Sequence, residues 1–304
     1  MPTQQNSEVD QMKVEAECAS CLLSRGCAET YMATTNPALR FRCMAELVKL
    51  VNHEFKSTSN AAELGTKRDK IIRELTGNRD PYHRTKKLSN EKAKQLLPYA
   101  QKFVDEGYNQ PDRFKKACLC AIVGNIMEFD IPGHNFTLKD LRKTITDAAK
   151  DLVIDDIDKA YKLANKTSKI LYLADNAGEI VFDTILVEQL KNMGLHVTYV
   201  VKSAPVINDA TMEDVEFSGM DKLADEVITT GADAVGLQLK LISPEFKKVY
   251  DQAKLVFAKG MGYAETLTEY ELKKPHFLMF RTKCTPVANY FCVPRHKNIA
   301  KLMP

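Results

Sequence analysis

Along the first 165 residues apolar side chains recur at intervals of three and four, as in Leu39, Met44, Leu47, Leu50 and Val51. That spacing gathers them on one face of a helix. Helices are expected around Cys21–Tyr31, Pro37–Phe55, Asn90–Asp105, Pro111–Phe129 and Leu138–Leu163. Beyond residue 165 short β-rich runs take over: Ile170–Ala174, His196–Val201, Glu226–Thr229, Leu255–Ala258 and Phe277–Phe280. Helical runs such as Glu179–Met193 and Pro244–Ala253 separate them. This alternation predicts a doubly wound, mostly parallel sheet. The chain therefore divides into a helical domain, 1–165, and an α/β domain, 166–304, with no internal repeat.

The ends of the expected strands carry the reactive side chains. Asp175-Asn176 follows the first and Asn208-Asp209 lies in the loop after the second; Thr230-Gly231-Ala232-Asp233 follows the third. Lys259-Gly260-Met261-Gly262 and Arg281-Thr282-Lys283-Cys284 follow the fourth and fifth. In a parallel sheet all five clusters converge on one edge, where open α/β folds bind their ligands. Two acids, an amide and several cations at one edge describe a site for a hard cation and an anionic group such as phosphate. Singly, each residue has another reading. Asp175, Asn176 and Asp209 are also good helix caps, and lysines and arginines usually end in solvent.

Composition narrows the function. With 304 residues, 44% of them hydrophobic, the chain can bury one or two cores. A net charge of +3 from 43 basic and 40 acidic residues makes no basic patch, so no nucleic-acid partner is implied. The first ten residues are polar and no apolar run approaches bilayer length, so a cytoplasmic protein without a membrane partner is expected. In that setting the eight cysteines read as thiols or metal ligands. Cys18-Ala-Ser-Cys21 is half of a zinc or iron–sulfur site with Cys284 as a third ligand, a redox pair, or two small residues of a helical core. The six histidines lack metal spacing. There is no G-x-G-x-x-G, and Gly231-Ala-Asp-Ala-Val-Gly236 lacks the Lys-Ser/Thr of a phosphate-cradling loop. An aspartyl-phosphate route in the haloacid-dehalogenase manner needs an acid at position 177, which is Ala.

In order and spacing, a series of motifs resembles the damage-control phosphatases, once called domain of unknown function 89, and their prokaryotic branch in particular. The series runs through Met12–Leu23, Asp80-Pro-Tyr82 with Lys86 and Ser89-Asn90, Gly124-Asn125, Asp175–Glu179, Val201–Pro205 with Asn208-Asp209, Thr230-Gly231, Lys259–Gly262 and Arg281–Cys284. The resemblance implies a Rossmann-like three-layer α/β/α domain beside an N-terminal all-helical domain. It implies a divalent metal, manganese or magnesium before cobalt or nickel, held by Asp175, Asn176 and Asp209, with Lys259 contacting phosphate and Asn125 closing over the substrate. Lys86, Gly231, Arg281 and Thr282 are the further substrate-binding candidates. Glu128, Asp130 and Tyr263 depart from the family's usual Asp, Gly and Asn, which bears on substrate choice.

The expected function is metal-dependent hydrolysis of phosphate monoesters of small metabolites, sugar phosphates or damaged phospho-metabolites. A cation would polarise the phosphoryl group, Lys259 with Arg281 or Lys283 would neutralise its oxygens, and Asp214 or Glu179 would position water. The alternatives are a non-catalytic binder of phosphorylated ligands and a metal or redox protein centred on Cys18 and Cys21.

Overall fold

The computed structural model describes residues 11–126 and 138–304, and all their side chains but those at 125, 126, 138–142 and 146. Helices α1 (Ala16–Ala33), α2 (Pro37–Glu54), α3 (Ala61–Thr76), α4 (His83–Asp105), α5 (Gln110–Ile126) and α6 (Leu138–Lys150) come first. Then follow β1 (Leu152–Asp155), α7 (Ile157–Ala164), β2 (Lys169–Leu173), α8 (Glu179–Asn192), β3 (His196–Val201), α9 (Met212–Ser218), α10 (Met220–Leu223) and β4 (Glu226–Thr229). The chain continues with α11 (Pro244–Gln252), β5 (Val256–Lys259), α12 (Met261–Leu267), β6 (His276–Arg281), α13 (Thr285–Tyr290) and β7 (Asn298–Met303). None of the described helices is long and apolar enough to cross a membrane.

Local chemistry sets the helix starts. Asn36 accepts the Ala38 and Leu39 amides ahead of Pro37, whose ring suits a first helical position. Asn60 does the same for Ala62 and Glu63, and its own amide donates to the Glu265 carbonyl at 2.8 Å, tying α3 to α12.

The seven strands form one sheet in the order β1-β7-β6-β5-β2-β3-β4. Neighbours are parallel except β6 and β7, so β1 and β7 run against the rest. From β2 the chain winds one way to β3 and β4, and from β5 it winds the other way to β6. The turnover point lies between β2 and β5, where strand order opens a crevice.

Alternation along the strands sends side chains to two cores. Ile170, Tyr172, Val197, Tyr199, Phe257, Phe277 and Met279 pack under α4, α5, α7 and α8. Leu171, Leu173, Val200, Val256, Ala258, Leu278 and Phe280 pack under α11, α12 and α13. A third, separate cluster joins α1, α2 and α3 through Leu22, Cys43, Leu47, Leu64 and Ile72.

The fold class follows the sequence; the expected division at residue 165 does not describe the packing. Phe114, Ala117 and Ile122 of α5 share a core with the sheet, and β1 pairs with β7 although it precedes residue 165. The helix expected over Leu138–Leu163 is α6, β1 and α7 in succession, and α3, β1 and β7 were not foreseen. The expected helix end at 127–129 lies outside the described residues.

Candidate active site

Two strand-end loops interlock at the turnover point. The Ala210 amide donates to the Asp175 carbonyl at 2.7 Å and the Ala177 amide to the Asn208 carbonyl at 2.9 Å, so Asn176 and Asp209 face each other as an antiparallel bridge. Neither loop is occupied with capping. The residue ahead of α8 is Gly178, without a side-chain cap, and α9 starts at a capping box of Thr211 and Asp214. Asp175, which accepts from the Asn176 amide at 2.7 Å, and Asp209 therefore face the cavity and cap no helix. A third strand end meets them. Gly260, after β5, has φ +83°, and a Cβ there would lie 1.8 Å from Oδ2 of Asp175. Only glycine lets this carboxylate settle against the backbone.

The electrostatics are those of crowded acids. Burial pushes the Asp175 carboxyl well above its ordinary range, and Glu179 and Asp209 add to it while Lys259 and Lys283 oppose it. Asp209, 3% exposed, is pushed up to about 6 by burial despite Lys202. Its Oδ2 makes no hydrogen bond, although the Lys202 ammonium stands 3.6 Å away. That ammonium donates instead to the Gly236 carbonyl at 2.5 Å and the Tyr263 hydroxyl at 3.3 Å. A buried carboxylate oxygen with an ionic neighbour but no hydrogen-bond donor is costly, and its chemistry fits a cation.

Both loops open on a cavity of about 480 Å³. Asp175, Asn176, Ala177, Ile207, Asn208 and Asp209 form its floor; α1 and α3 supply the opposite wall. Cys18, Cys21 and Cys284 line this same cavity, so what sequence reading took for a second site is part of the first. Among the described residues no three Cys, His, Asp or Glu side chains group as a metal-holding set. Burial raises the Cys18 thiol and pushes Cys284 up to about 11, which favours neutral thiols.

Several expected site residues stand elsewhere. Lys259 is fully buried beneath the loops; its ammonium donates to Glu179, to Asp183 at 2.9 Å and to the Ala121 carbonyl at 2.9 Å. Three acceptors use its three N–H bonds, leaving none for phosphate. Arg281 turns to Asp151 and Asn298, and the Thr282 hydroxyl lies against the carbonyls of Pro294 and Lys297, both on the β7 side of the sheet. Gly231, at φ +72°, makes room for Ser243. Lys86 is buried against Asp80 at 2.6 Å and lines a smaller cleft of about 120 Å³ with His83, Asn90 and Asp214. Asp214 accepts from Thr211 and from Asn90 and lies off the main cavity; Glu179 holds Lys259 and Asn176. Neither is placed to take a proton from water. The Asn125 side chain, with Glu128 and Asp130, lies outside the described residues; Gly124 beside it lines the cavity.

The cavity adds residues that sequence reading missed. Arg25, Arg68, Tyr82 and Glu265 line it. Arg68 is committed to Glu29 at 3.1 Å, whereas Arg25 is exposed into the cavity near Cys21, Tyr82 and Glu265. Burial pushes Glu265 up to about 7 against the pull of Arg25. Helical spacing held a signal for Arg25, one turn beyond Cys21 and two beyond Cys18. Nothing in the pattern singled out Glu265 or Arg68.

The chain matches the damage-control phosphatase ARMT1-like domain over residues 14–299. It is 36% identical over 293 residues to a damage-control phosphatase of Archaeoglobus fulgidus, covering 96% of this chain and 100% of that one. A damage-control phosphatase of Pyrococcus horikoshii is 33% identical over 286 residues, 93% of this chain and 96% of its own. The crystal structure of a DUF89 family protein from Pyrococcus horikoshii superimposes with a TM-score of 0.86 at 32% identity, covering 95% of this chain and 99% of that one.

Proposed function

Because the chain belongs to the damage-control phosphatase ARMT1-like family, we propose that it is a metal-dependent phosphatase of phosphate monoesters of small, damaged or sugar-like metabolites. The observation that carries this is the meeting of Asp175, Asn176 and Asp209 on the cavity floor, with Oδ2 of Asp209 buried and without a hydrogen-bond donor. Two carboxylates and an amide, with no sulfur or imidazole among them, suit a hard cation: manganese or magnesium, with cobalt or nickel as substitutes. Asp175, Asn176 and Asp209 would hold a divalent cation, which would supply Lewis-acid polarisation of a phosphoryl oxygen.

The chain's own side chains do the rest. Lys283 lines the cavity close enough to Asp175 to pull its carboxyl pKa down, and is the cation that meets the charge spread over the phosphoryl oxygens. Arg25 stands on the wall that receives the leaving group. Glu179 accepts from the Asn176 amide at 3.3 Å and anchors on Lys259, so it orients the amide. Helices α1 and α3 shield the ester from water on the side opposite the acids, which strengthens each of these interactions.

The test is phosphate release from p-nitrophenyl phosphate and a panel of phosphorylated metabolites by protein stripped with EDTA and reloaded with Mn²⁺, Mg²⁺, Co²⁺ or Ni²⁺. Turnover should need the cation and fall to background in Asp175→Asn and Asp209→Asn. Release at full rate without a divalent ion overturns the metal dependence; absence of release from every ester overturns the phosphatase.

A further inference from the structure

Asp209 reaches the cavity from a loop whose backbone is strained. Two residues before it, Ile207 has φ 43°, in the left-handed region that β-branched residues avoid. The turn brings the Asn208 carbonyl to the Ala177 amide and sets Asp209, whose amide donates to Val206 at 3.1 Å, opposite Asn176. A strained residue persists only where its surroundings over-determine it.

The restraint comes from outside the sheet. Asp69, on α3, is fully buried and accepts the Ile207 amide on Oδ1 at 3.0 Å. Its Oδ2 accepts from Nε of Arg73 at 2.7 Å, and Arg73 reaches on to Asp233 at 2.8 Å. A charge-assisted bond to one backbone N–H, with the carboxylate itself fixed by a guanidinium, is a stiff and directional restraint. The neighbouring loop has a counterpart: Asn90, on α4, accepts the Gly178 amide at 2.6 Å beyond Asp175 and Asn176. Asp69 is not among the residues lining the cavity; apart from the like-charge push it adds at Asp209, its contact with the site runs through Ile207.

We propose that Asp69 is a positioning residue: from α3 it holds Ile207 in its left-handed conformation and thereby aims the Asp209 carboxylate at the cation site. The inference rests on the metal-dependent reading above. Without this acceptor Ile207 relaxes to negative φ, and the next two residues turn away from the β2 loop. Groups that orient a metal ligand are typically worth about 10- to 100-fold in metal affinity, and that is the loss expected here.

The experiment compares wild type, Asp69→Ala, Asp69→Ala/Ile207→Gly and Asp233→Asn by Mn²⁺ titration calorimetry, and by hydrogen exchange of the metal-free proteins. In Asp69→Ala the amides of 207–209 should exchange faster while those of β2 and β3 keep their protection, and Mn²⁺ should bind roughly 10- to 100-fold more weakly. Adding Ile207→Gly should recover part of that loss, because glycine takes positive φ freely. Asp233→Asn, which touches only the outer end of the chain of charges, should bind Mn²⁺ like wild type. Unchanged affinity in Asp69→Ala overturns the proposal, as does loosening throughout β2 and β3 with no recovery from glycine, which makes Asp69 a plain stabiliser of the fold. Should Asp69→Ala not fold, Asp69→Asn serves. It keeps the shape but gives the Ile207 amide a neutral acceptor no longer fixed by Arg73, so the restraint slackens and Mn²⁺ affinity must again fall, by less than in Asp69→Ala. If wild type itself neither binds Mn²⁺ nor releases phosphate, it is the functional reading that fails, and exchange at Ile207 alone decides whether Asp69 holds the loop.

Discussion

Replacing Lys259 by methionine should cost stability before it costs chemistry. Methionine keeps most of the stem volume, so the change removes mainly a charge. Two carboxylates lose their counter-charge: Glu179, 1% exposed, and Asp183, fully buried. Asp183 keeps the hydroxyls of Tyr172 and Tyr199, each at 2.8 Å, and Glu179 keeps the Asn176 amide at 3.3 Å, so neither is stripped bare. Breaking a buried ion pair from one side costs about 3–5 kcal/mol, which for a chain of this size lowers the melting temperature by roughly 5–8 °C. The pH dependence separates this from a role in catalysis. Burial, and Glu179 after it, hold the Asp183 carboxyl above its ordinary pKa while Lys259 pulls it back. Without Lys259 the folded pKa rises further. The folded variant then takes up a proton at a pH where the unfolded chain does not, so its deficit is largest near pH 8 and shrinks as pH falls through the raised pKa towards about 4. Lysine's own contribution is fully present below its unfolded pKa near 10.4, so the wild type does not mirror the change in this range. Thermal unfolding followed from pH 8 to pH 5 measures both curves. A variant that melts like wild type at every pH yet loses turnover refutes the assignment and returns Lys259 to the substrate.

Gly260→Ala should abolish Mn²⁺ binding and turnover together, since the new Cβ would meet the Asp175 carboxylate at 1.8 Å; a variant with wild-type calorimetry would disprove that packing. Burial pushes the His276 imidazole down to about 4, so between pH 6.5 and 4 the unfolded chain gains a proton that the folded chain refuses. Stability should fall by about 3 kcal/mol across that window, and His276→Gln, still able to meet the Tyr250 hydroxyl now 2.8 Å away, should flatten the slope in urea titrations. Iodoacetamide should label Cys21, which is exposed into the cavity, ahead of Cys18 and Cys284, whose thiols burial holds protonated. In a Cys292→Ser background the adduct at Cys21 should block phosphate release; full activity in protein shown by mass spectrometry to be labelled there would put the substrate elsewhere.

The sheet was largely legible. β2 to β6 fall within a residue or so of the expected runs; all but the half-buried edge strand β4 are buried on both faces and read as unbroken apolar stretches. β1 escaped because its four residues alternate half-buried and exposed within a longer amphipathic pattern, and β7 because Asn298-Ile-Ala-Lys-Leu-Met303 carries no strand signature. The acids at the strand ends were legible for the same reason as the strands. The lysine was not. Lys259 is the last residue of β5 and not the first of the loop, and with alternation fixed by Phe257 and Ala258 its side chain is sent under α5 and α8. One residue of boundary thus changed a phosphate ligand into a buried counter-charge. The cavity wall was illegible as a wall, since only tertiary packing brings α1 and α3 over the sheet edge.

The cavity's two sides are encoded far apart. Its acidic floor comes from residues 175–177 and 207–209, its opposite wall largely from 14–32 and 61–68. Substitutions in α1 can reshape what the cavity admits without disturbing Asp175, Asn176 and Asp209 on the far side. Heredity can therefore revise the molecular diet of this scaffold one helix face at a time while its chemistry is passed on intact.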